Sequence, residues 1–579
     1  MTLPFLQFNF NQDIQQFIDP VQVWKTDNIK QVHRIFQEIE DYLNNGYYIA
    51  GFVSYEAAPA FDPAYEVNTN QQLPLIWFGA YEKIVNKQTD TEQSLQQLSN
   101  WHITTDYQQY HKHIHHIKNA IAEGNTYQVN YTTRLEANFN GSAYHYYQQL
   151  LANQHASYCA YLDIGTQQIL SVSPELFFSV ENNRITTKPM KGTIKRGKTF
   201  EEDEQLKKRL KHSTKDQAEN VMIVDLLRND LGRIAKPGSV RVKSLFDIES
   251  YPTVHQMTST ITAELETNTI YEWFRALFPC GSITGAPKVE TMKYIATLEN
   301  TPREIYCGAI GFISPDRSAT FNVPIRTVLI NGNKATYGTG GGITWDSSSE
   351  GEYQELQQKA EILKQQHKEI SLIESLLLKD GEYPLLEEHL SRLANSAQYF
   401  GFSFSEHPIR SKLLSLAARS TSGSYKVKLI YHRDGEMELN SEMVTSITQP
   451  ISAIIAPFAV NKEEIYLYHK TTNRSTYNKI SEHQPEEVFT SLLWNKNRYV
   501  TEFTIGNIVI EKNGEFFTPP VSDGLLPGTF RQRLLLENKI KEKSISLNEL
   551  DNCDQIWFIN SVRGWLKVNI SDSFKTNRS

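Results

Sequence analysis

The chain contains little cysteine and no long apolar run. Only four of its 579 residues are cysteine, and no two of them have the CxxC spacing of a redox or zinc motif. This composition excludes a disulfide framework and is typical of a reducing compartment. No apolar run approaches the roughly 18 residues that cross a membrane. ISAIIAPFAV (451–460) is the nearest candidate, and it is better interpreted as a buried strand. With no signal-peptide pattern at the amino terminus, we expect a cytoplasmic protein without a membrane partner.

An excess of positive charge is also missing. The sequence has 58 Lys and Arg against 66 Asp and Glu, which gives a formal net charge of −8. This balance argues against a nucleic-acid partner, although a local basic pocket for a small anion stays compatible with it. Hydrophobic residues make up 40% and charged residues 21%, as in globular proteins. At 579 residues the chain is expected to form several domains.

The order of apolar and polar runs divides the first part of the chain. Residues 1–105 alternate short strand-like runs with polar connections, and residues 106–368 form a longer block in which β-rich segments alternate with helices. Within that block the sequence predicts helices at 106–123, 215–232 and 287–298, and a long polar helix that begins near Glu350 and continues to about residue 370.

A second domain is predicted over residues 371–579. Residues 371–393 have the pattern of a strand, a Lys-Asp-Gly turn, a second strand and a helix. Such a pattern opens a new domain, so we place the boundary near residue 370.

The stretch TTKPMKGTIKRG (186–197) concentrates positive charge, with Lys191 directly before a glycine. Most such runs are solvated loops, and a glycine lets the backbone bend closely around a ligand. From the residues alone, Lys191 is compatible with a surface charge, an anion-binding group or a nucleophile.

Two acidic residues, Glu352 and Glu355, are three positions apart and therefore share one face of a helix. A third, Glu219, lies near the start of the helix predicted at 215–232. Three carboxylates suit Mg²⁺, which prefers oxygen ligands and keeps several waters. Spacing alone nevertheless favours an exposed acidic face.

Ordered blocks across residues 45–365, among them SPELFF, KPMKGTIKRG, SITGAPKVETM and GGGITWDSSSEGEYQE, resemble the chorismate-utilising enzyme family. The resemblance implies a multi-domain α+β architecture with large β-sheets and outer helices, and chorismate and Mg²⁺ as ligands. It also implies that residues 106–368 are the chorismate-binding catalytic core and that residues 1–105 are the amino-terminal part of the same enzyme. It implies the following site residues: Glu219, Glu352 and Glu355 for the metal, Tyr306 and Arg326 for the enolpyruvyl carboxylate, Gly340, Gly341 and Gly342 as a strip under the substrate, and Thr284 and His255 as further substrate contacts.

Lys191 indicates the branch of this family. The anthranilate synthases carry a small residue at the matching position, whereas the aminodeoxychorismate synthases carry lysine. The resemblance then implies that Lys191 is a nucleophile and Glu175 a general acid and base. An attacking amine must be neutral, so the pKa of Lys191 must fall from about 10.4. The positive charges of its sequence neighbours Lys188, Lys195 and Arg196 are expected to help lower it.

One block departs from the anthranilate synthase pattern. Where those enzymes have a catalytic histidine, the register of YPTVHQMTSTI places Gln256, with His255 one residue earlier. The role of His255 therefore stays open.

Residues 371–579 resemble the fold-type IV pyridoxal-phosphate enzymes through YHKTTNRSTY, VTEFTIGNIVI and GLLPGTFRQRLL. This resemblance implies pyridoxal 5′-phosphate as cofactor and a homodimer formed through this domain. It implies that Lys470 carries the cofactor, that Glu502 pairs with the pyridine nitrogen, and that Arg392, Gly528 and Thr529 hold the phosphate, since helix N-termini favour anions.

The two resemblances together imply one reaction sequence. The first part would convert chorismate to 4-amino-4-deoxychorismate, and the second would remove pyruvate to leave p-aminobenzoate for folate biosynthesis. No cysteine lies in a glycine-flanked nucleophile elbow, so we expect ammonia from a separate glutamine amidotransferase. The alternative is an anthranilate-type synthase fused to an aminotransferase-like or non-catalytic domain.

Overall fold

The computed structural model describes residues 3–11, 13–85, 97–154, 156–363 and 369–571. The chain forms two compact units. Unit 1 comprises residues 1–195 and 207–367, and unit 2 comprises residues 196–206 and 368–579. Unit 2 therefore includes a short segment from the middle of the amino-terminal sequence, a division that no change of composition indicates.

In the described ranges, the strands of unit 1 form two large sheets. In chain order they are β1 (Phe5–Phe10), β2 (Asp13–Ile18), β3 (Gln22–Thr26), β4 (Tyr48–Val53), β5 (Ile76–Tyr81), β6 (Gln97–Leu98), β7 (His102–Ile103), β8 (Gln128–Asn140), β9 (Tyr158–Asp163), β10 (Gln167–Ser173), β11 (Leu176–Glu181), β12 (Arg184–Lys188), β13 (Met190–Lys195), β14 (Arg241–Ser250), β15 (Val254–Glu264), β16 (Gly285–Ala286), β17 (Ala309–Ile313), β18 (Ala319–Asn322), β19 (Thr327–Asn331) and β20 (Lys334–Ile343).

The first sheet has the order β16-β8-β20-β19-β10-β9-β1-β2, with β6 and β7 beside β8. The second has the order β13-β15-β12-β11-β18-β17-β4-β5-β3, with β14 beside β15. Strands from residues 1–105 occupy positions in both sheets, so this part of the chain completes the core and is not a separate body.

Helices surround these sheets. They are α1 (Ile29–Asn44), α2 (Tyr107–Ala122), α3 (Ala143–Gln154), α5 (Thr214–Gly232), α6 (Ile270–Leu277), α7 (Lys288–Leu298) and α8 (Ser349–Ala360). Helix α4 (Phe200–Lys211) begins within the segment assigned to unit 2 and ends in unit 1. Polar side chains cap several of them: Asp106 accepts from the third residue of α2, and Ser348 from the third residue of α8.

The two sheets of unit 1 pack face to face through aromatic side chains. On β1 the alternate residues Leu6, Phe8 and Phe10 point into this interface, as the two-residue period of a strand requires. The ring of Phe8 meets that of Phe312 on β17, with centroids 5.3 Å apart. Helices α1, α5 and α6 cover the outer face of the second sheet, and α2, α3, α7 and α8 cover the first.

Unit 2 contains a three-stranded and an eight-stranded sheet. Its strands are β21 (Leu372–Lys379), β22 (Ser424–Tyr431), β23 (Met437–Met443), β24 (Ile451–Ile455), β25 (Thr490–Trp494), β26 (Val500–Phe503), β27 (Gly506–Lys512), β28 (Glu515–Thr518), β29 (Lys541–Glu542), β30 (Gln555–Asn560) and β31 (Gly564–Ile570). The small sheet is β21-β22-β23, and the large sheet is β26-β25-β24-β31-β30-β27-β28-β29. The helices are α9 (Leu386–Phe400), α10 (Glu406–Arg419), α11 (Ser475–Ser481) and α12 (Thr529–Leu536).

The segment 196–206 packs within unit 2 by specific contacts. The guanidinium of Arg196 lies 4.2 Å from the centre of the Tyr399 ring, and the Tyr399 hydroxyl donates to the carbonyl of Gly197 at 2.7 Å. The ring of His469 lies 3.1 Å from the carbonyl oxygen of Lys198.

Most predicted helices are confirmed, and two sequence-based predictions are wrong. The long polar helix ends at Ala360 and is followed by a single 3-10 turn to Leu363, while residues 364–368 lie outside the described ranges. After the Lys-Asp-Gly turn, the described residues form only a bridge from Lys379 to Glu382 and no second strand. Pro384 explains this, because proline removes a backbone donor. Among the described residues, none of the helices combines the length and apolar character needed to cross a membrane.

Candidate active sites

A cavity of about 300 Å³ in unit 1 collects most of the site residues predicted for the first part of the chain. This volume is at the lower end for small-molecule sites. Its walls include Glu175, Lys191, Glu219, Tyr306, Arg326, Gly340, Gly341, Gly342, Glu352 and Glu355. These residues are far apart in sequence, and the pairing order of the two sheets brings them together.

Strand β13 places Lys191 directly against the glycine strip of β20. A β-carbon on Gly342 would lie closer to Lys191 Nζ than the 3.0 Å that β-carbons keep from other atoms. A β-carbon on Gly341 would lie 3.0 Å from Glu352 Oε2. The strip is therefore bordered by the amine at one residue and by a carboxylate at the next, and the absence of β-carbons lets both groups lie where they are.

Burial lowers the pKa of Lys191. The carboxylate of Glu219 opposes this change, and the neighbouring ammonium of Lys359 adds to it. The sequence neighbours named above act elsewhere, since Lys188 and Arg196 each pair with an acidic side chain of their own. The cation that supports a neutral Lys191 is therefore Lys359.

Glu175 lies between β10 and β11 and is buried. The hydroxyl of Ser282 donates to its Oε1 at 2.7 Å. Burial raises the pKa of Glu175 to about 7, although the Ser282 hydrogen bond and the charge of Lys191 act in the opposite direction. A carboxyl group with a pKa near 7 can both give and take a proton at neutral pH.

The three carboxylates of the predicted Mg²⁺ site line the same cavity but engage other partners. Lys359 Nζ lies 2.8 Å from Glu355 Oε1 and donates to the carbonyl of Gly340 at 2.8 Å. The Ser347 hydroxyl donates to Glu352 Oε1 at 2.7 Å. Across the described ranges, no three His, Cys, Asp or Glu side chains come close enough to hold a metal. The metal ligands therefore stay a prediction.

The chemistry of these carboxylates nevertheless fits a divalent cation. Burial raises the pKa of both Glu219 and Glu352, so their negative charges are unfavourable without a compensating cation. The pKa of Glu355 is lowered because Lys359 supplies one. Mg²⁺ keeps several of its waters and needs only one or two direct carboxylate ligands.

The carboxylate-binding pair predicted from the sequence is rigidly held. Arg326 has φ of +50°, a left-handed conformation that costs a non-glycine residue about 1 kcal/mol or more. Its guanidinium donates to the side chain of Gln154 and lies 5.8 Å from the Tyr251 ring. The ring of Tyr306 packs on Gly338, where a β-carbon would collide with it. Both side chains therefore face the cavity in fixed positions.

Two predicted substrate contacts do not reach the cavity. His255 is fully buried, with Nδ1 3.0 Å from Ser250 Oγ, whereas Gln256 lines the cavity. Successive residues of β15 point to opposite faces of the sheet, so only one of this pair can face the substrate. Thr284 is also fully buried, and its hydroxyl donates to the carbonyl of Cys280 at 3.1 Å. We therefore correct both assignments.

Unit 2 contains a second cavity, of about 450 Å³. All five residues predicted for the cofactor line it: Arg392, Lys470, Glu502, Gly528 and Thr529.

The polar groups at one end of this second cavity suit a pyridine ring. The Tyr477 hydroxyl donates to Glu502 Oε1 at 2.7 Å, and the backbone N–H of Leu526 donates to the same atom at 3.2 Å. Burial raises the pKa of Glu502 to about 7. Burial and the charge of Arg392 lower the pKa of Lys470 to about 8. A lysine poised to lose its proton and a buried carboxyl group are the two side chains the cofactor needs.

The other end suits a phosphate. Gly528 caps α12, and a β-carbon there would collide with Asn507 Oδ1. The guanidinium of Arg392 makes two hydrogen bonds to Glu374, at 2.8 and 2.6 Å, and lines the cavity. Burial alone would raise the pKa of Glu374, but Arg392 and His389 hold it at about 2. The arginine is thus fixed beside the N–H groups of a helix start, and the residues present fit pyridoxal phosphate.

Comparison with known proteins agrees with this division. The sequence profile of the chorismate binding enzymes matches residues 6–365. The chain belongs to this family. A second profile, that of the class IV amino-transferases, matches residues 371–570.

Relatives of this chorismate binding enzyme include the aminodeoxychorismate synthase component 1 of Escherichia coli (strain K12), which is 40% identical over 285 residues, or 49% of this chain and 63% of the relative. The Salmonella typhimurium protein of the same name is 39% identical over 276 residues, 48% of this chain and 61% of the relative. The matched segment thus spans less than two thirds of either relative. A crystal structure of anthranilate synthase component I from Streptococcus pneumoniae has a TM-score of 0.51 and 25% identity, and covers 63% of this chain and 91% of its own.

Two side chains beside the glycine strip, Lys359 and Gln128, were not predicted from the sequence. Lys359 follows Glu355 by one helical turn, so the i,i+4 rule could have found it. Gln128 has both side-chain polar atoms buried without a partner among the described residues, and its Nε2 lies beside Gly342. No spacing signal in the sequence marks this glutamine, because its position depends on the pairing of β8 with β20.

Proposed function

We propose that unit 1 converts chorismate and ammonia to 4-amino-4-deoxychorismate. The observation that carries this proposal is the position of Lys191, whose amine has a lowered pKa and packs on Gly342 in the cavity that also contains Glu175. A small side chain at residue 191 would leave no such nucleophile. The names of the relatives from Escherichia coli and Salmonella typhimurium support the same reaction.

In this proposal Lys191 acts as a covalent catalyst. The neutral Nζ attacks ring C2, both ring double bonds shift by one position toward C4, and the C4–O bond breaks, while Glu175 gives its proton to the departing hydroxyl so that it leaves as water. Ammonia then attacks C4, both double bonds shift back, and the bond from Nζ to C2 breaks. The new ammonium group passes its extra proton to the Glu175 carboxylate, which restores both side chains.

The remaining residues of the cavity hold the substrate. Arg326 would take the enolpyruvyl carboxylate in a bidentate pair, with Tyr306 beside it. Glu219, Glu352 and Glu355 would hold Mg²⁺, which would neutralise the ring carboxylate when bound.

Unit 2 would then remove the enolpyruvyl group as pyruvate to give p-aminobenzoate. Pyridoxal phosphate, when bound, supplies an electron sink for the substrate amine. Lys470 would take the proton from ring C4 and hold it while the C3–O bond breaks and the ring becomes aromatic. The released enolpyruvate gains a proton to become pyruvate. Glu502 would keep the pyridine nitrogen protonated, and Arg392 with the start of α12 would hold the phosphate.

Ammonia would come from a separate glutamine amidotransferase. The name "component 1" of the relatives supports such a partner. The cysteines of this chain are poor nucleophiles for a glutaminase, since burial raises the pKa of Cys159, Cys280 and Cys307 to about 12 and also raises the pKa of Cys553.

A product assay tests both steps. The protein is incubated with chorismate, Mg²⁺ and an ammonium salt, with and without pyridoxal phosphate. We expect aminodeoxychorismate without the cofactor and p-aminobenzoate plus pyruvate with it. Anthranilate, recognised by its fluorescence, would contradict the first step, and aminodeoxychorismate that persists in the presence of the cofactor would contradict the second.

Lys191→Ala separates the two activities. This variant should lose aminodeoxychorismate formation but still release pyruvate from supplied aminodeoxychorismate at the wild-type rate. Retained synthase activity would reduce Lys191 to a positioning role.

A further inference from the structure

The cavity of unit 2 contains more positive charge than the cofactor requires. Six cationic side chains line it, against the single carboxylate of Glu502: Arg392, Lys426, Lys428, Lys470, Arg474 and Arg563. Arg392, Lys470 and Glu502 are taken by the cofactor in the function proposed above, and Arg474 packs on Tyr477 next to Glu502. Lys426, Lys428 and Arg563, here called the cationic rim, are left for another ligand.

The fold directs the cationic rim into the cavity. Val427 and Leu429 of β22 are buried in the core beneath α9 and α10. Because side chains alternate along a strand, Lys426 and Lys428 project from the opposite face of the small sheet. Arg563 comes from the connection between β30 and β31 in the large sheet. Both sheets of unit 2 therefore contribute cations to one wall.

Arg563 is held in place but keeps free donor capacity. Its backbone N–H donates to Asn560 Oδ1 at 2.8 Å, and its Nη1 donates to the carbonyl of Thr445 at 2.8 Å. A guanidinium has five N–H groups in a planar fork, which suits a carboxylate.

The cationic rim already surrounds one carboxylate of this chain. Lys426 Nζ lies 2.7 Å from Glu442 Oε1 on β23. Lys426 lowers the pKa of Glu442 most, through this hydrogen bond and its charge, and the charges of Arg563 and Lys428 lower it further. Lys426 thus pairs directly with this exposed acidic side chain, and the charges of Lys428 and Arg563 act on the same carboxylate from farther away.

We propose that the cationic rim binds a carboxylate of a dianionic ring substrate and exchanges it for Glu442. This inference rests on the proposed function, because aminodeoxychorismate presents an amine to the cofactor and carries two carboxylates. A branched-chain amino acid has only the carboxylate next to its amine, and its apolar side chain would desolvate these cations without pairing them, which is unfavourable. The cationic rim therefore selects the lyase substrate over the substrates of a branched-chain aminotransferase.

Two probes that differ by one carboxylate test the inference. The holoenzyme, free of Mg²⁺, is titrated with 5-aminoisophthalate or with 3-aminobenzoate at low salt. Binding is followed through the visible absorbance of the bound cofactor, which reports on unit 2 alone, and as competitive inhibition of pyruvate release. We expect the dicarboxylate to bind about tenfold more tightly, a difference of about 1.4 kcal/mol.

The variants should change this preference in opposite directions. Arg563→Met and Lys428→Met should each reduce it to about threefold or less, and Lys428→Met is the safer one for folding because its side chain is exposed. Glu442→Gln should tighten dicarboxylate binding about two- to fivefold, since the competing carboxylate is removed. Lys412→Met, on the exposed face of α10, is the matched control and should change nothing.

The outcomes separate this inference from the proposed function. Equal affinity for the two probes, or a Glu442→Gln variant that weakens dicarboxylate binding, would overturn the role of the cationic rim even if pyruvate is released. Selective dicarboxylate binding that is lost in Lys428→Met would support it even if aminodeoxychorismate gives no pyruvate, and the lyase step alone would then be wrong.

Discussion

The contact between Gly342 and Lys191 offers a direct test of the proposed synthase site. In Gly342→Ala the new β-carbon would overlap Lys191 Nζ and Gln128 Nε2, and each must move by about 1 Å to reach ordinary contact distance. Both atoms end flexible side chains, so we expect a loss of stability of only about 1 kcal/mol. Misplacing a reacting group by 1 Å costs about 100-fold in rate. Aminodeoxychorismate formation should therefore fall about 100-fold in a folded protein.

The assay follows aminodeoxychorismate formed from chorismate, Mg²⁺ and ammonium salt, together with thermal unfolding by circular dichroism. Gly232→Ala in α5 is the matched control, because no atom lies within 4 Å of the new β-carbon. Gly340→Ala should behave differently, since its β-carbon meets the backbone carbonyl of Tyr131 and the loss should appear in stability, at about 1–3 kcal/mol. A folded Gly342→Ala protein that works within threefold of wild type would refute the reasoning.

Three further predictions concern charged groups. Because burial raises the pKa of Glu175 to about 7, this side chain loses its proton as the pH rises through 7. The rate of aminodeoxychorismate formation should therefore decline above that pH. Glu175→Gln should be 10²- to 10⁴-fold slower, and its rate should not show this decline. Lys359→Met removes a cation 2.8 Å from Glu355 that would compete with the metal for this carboxylate. Calorimetry should therefore show Mg²⁺ binding about three- to tenfold more tightly. Weaker binding would contradict the placement of the metal. The pKa of Glu374 is about 2, against 4.5 for an ordinary carboxyl, so its ion pair stabilises unit 2 fully above about pH 4.5 and is lost as the pH falls toward 2. In urea unfolding, the free energy of unfolding should therefore fall less steeply with acid in Glu374→Gln than in the wild type. Equal pH slopes in the two proteins would contradict the pairing.

Motifs predicted which residues lie together in the cavity better than periodicity did. Lys191, Glu175 and the glycines lie in blocks whose residue types are restricted by close contacts, and all of them line one cavity. His255 was placed wrongly because a shift of one residue along a strand reverses the side-chain direction. The motif alone could not decide between His255 and Gln256, since this depends on the register of β15 against β13 and β14.

Contacts between residues distant in sequence could not be predicted from spacing. Lys359 was within reach of the helical i,i+4 rule, but its hydrogen bond to the carbonyl of Gly340 depends on how α8 packs on β20. The cationic rim joins β22 to the connection after β30, and no local pattern relates these stretches. The second strand expected after the Lys-Asp-Gly turn is absent from the described residues because Pro384 interrupts the pattern.

The position of residues 196–206 affects when unit 2 can fold during synthesis of the chain. They belong to unit 2, yet about 160 residues must be translated before the rest of that unit begins. At 5–20 residues per second this takes roughly 8 to 30 seconds. During this time Tyr399, on whose ring Arg196 stacks in the folded protein, has not been synthesised. Cutting the gene at residue 368 would divide unit 2 between two polypeptides. A carboxy-terminal half expressed alone should therefore carry residues 196–206 as a grafted segment.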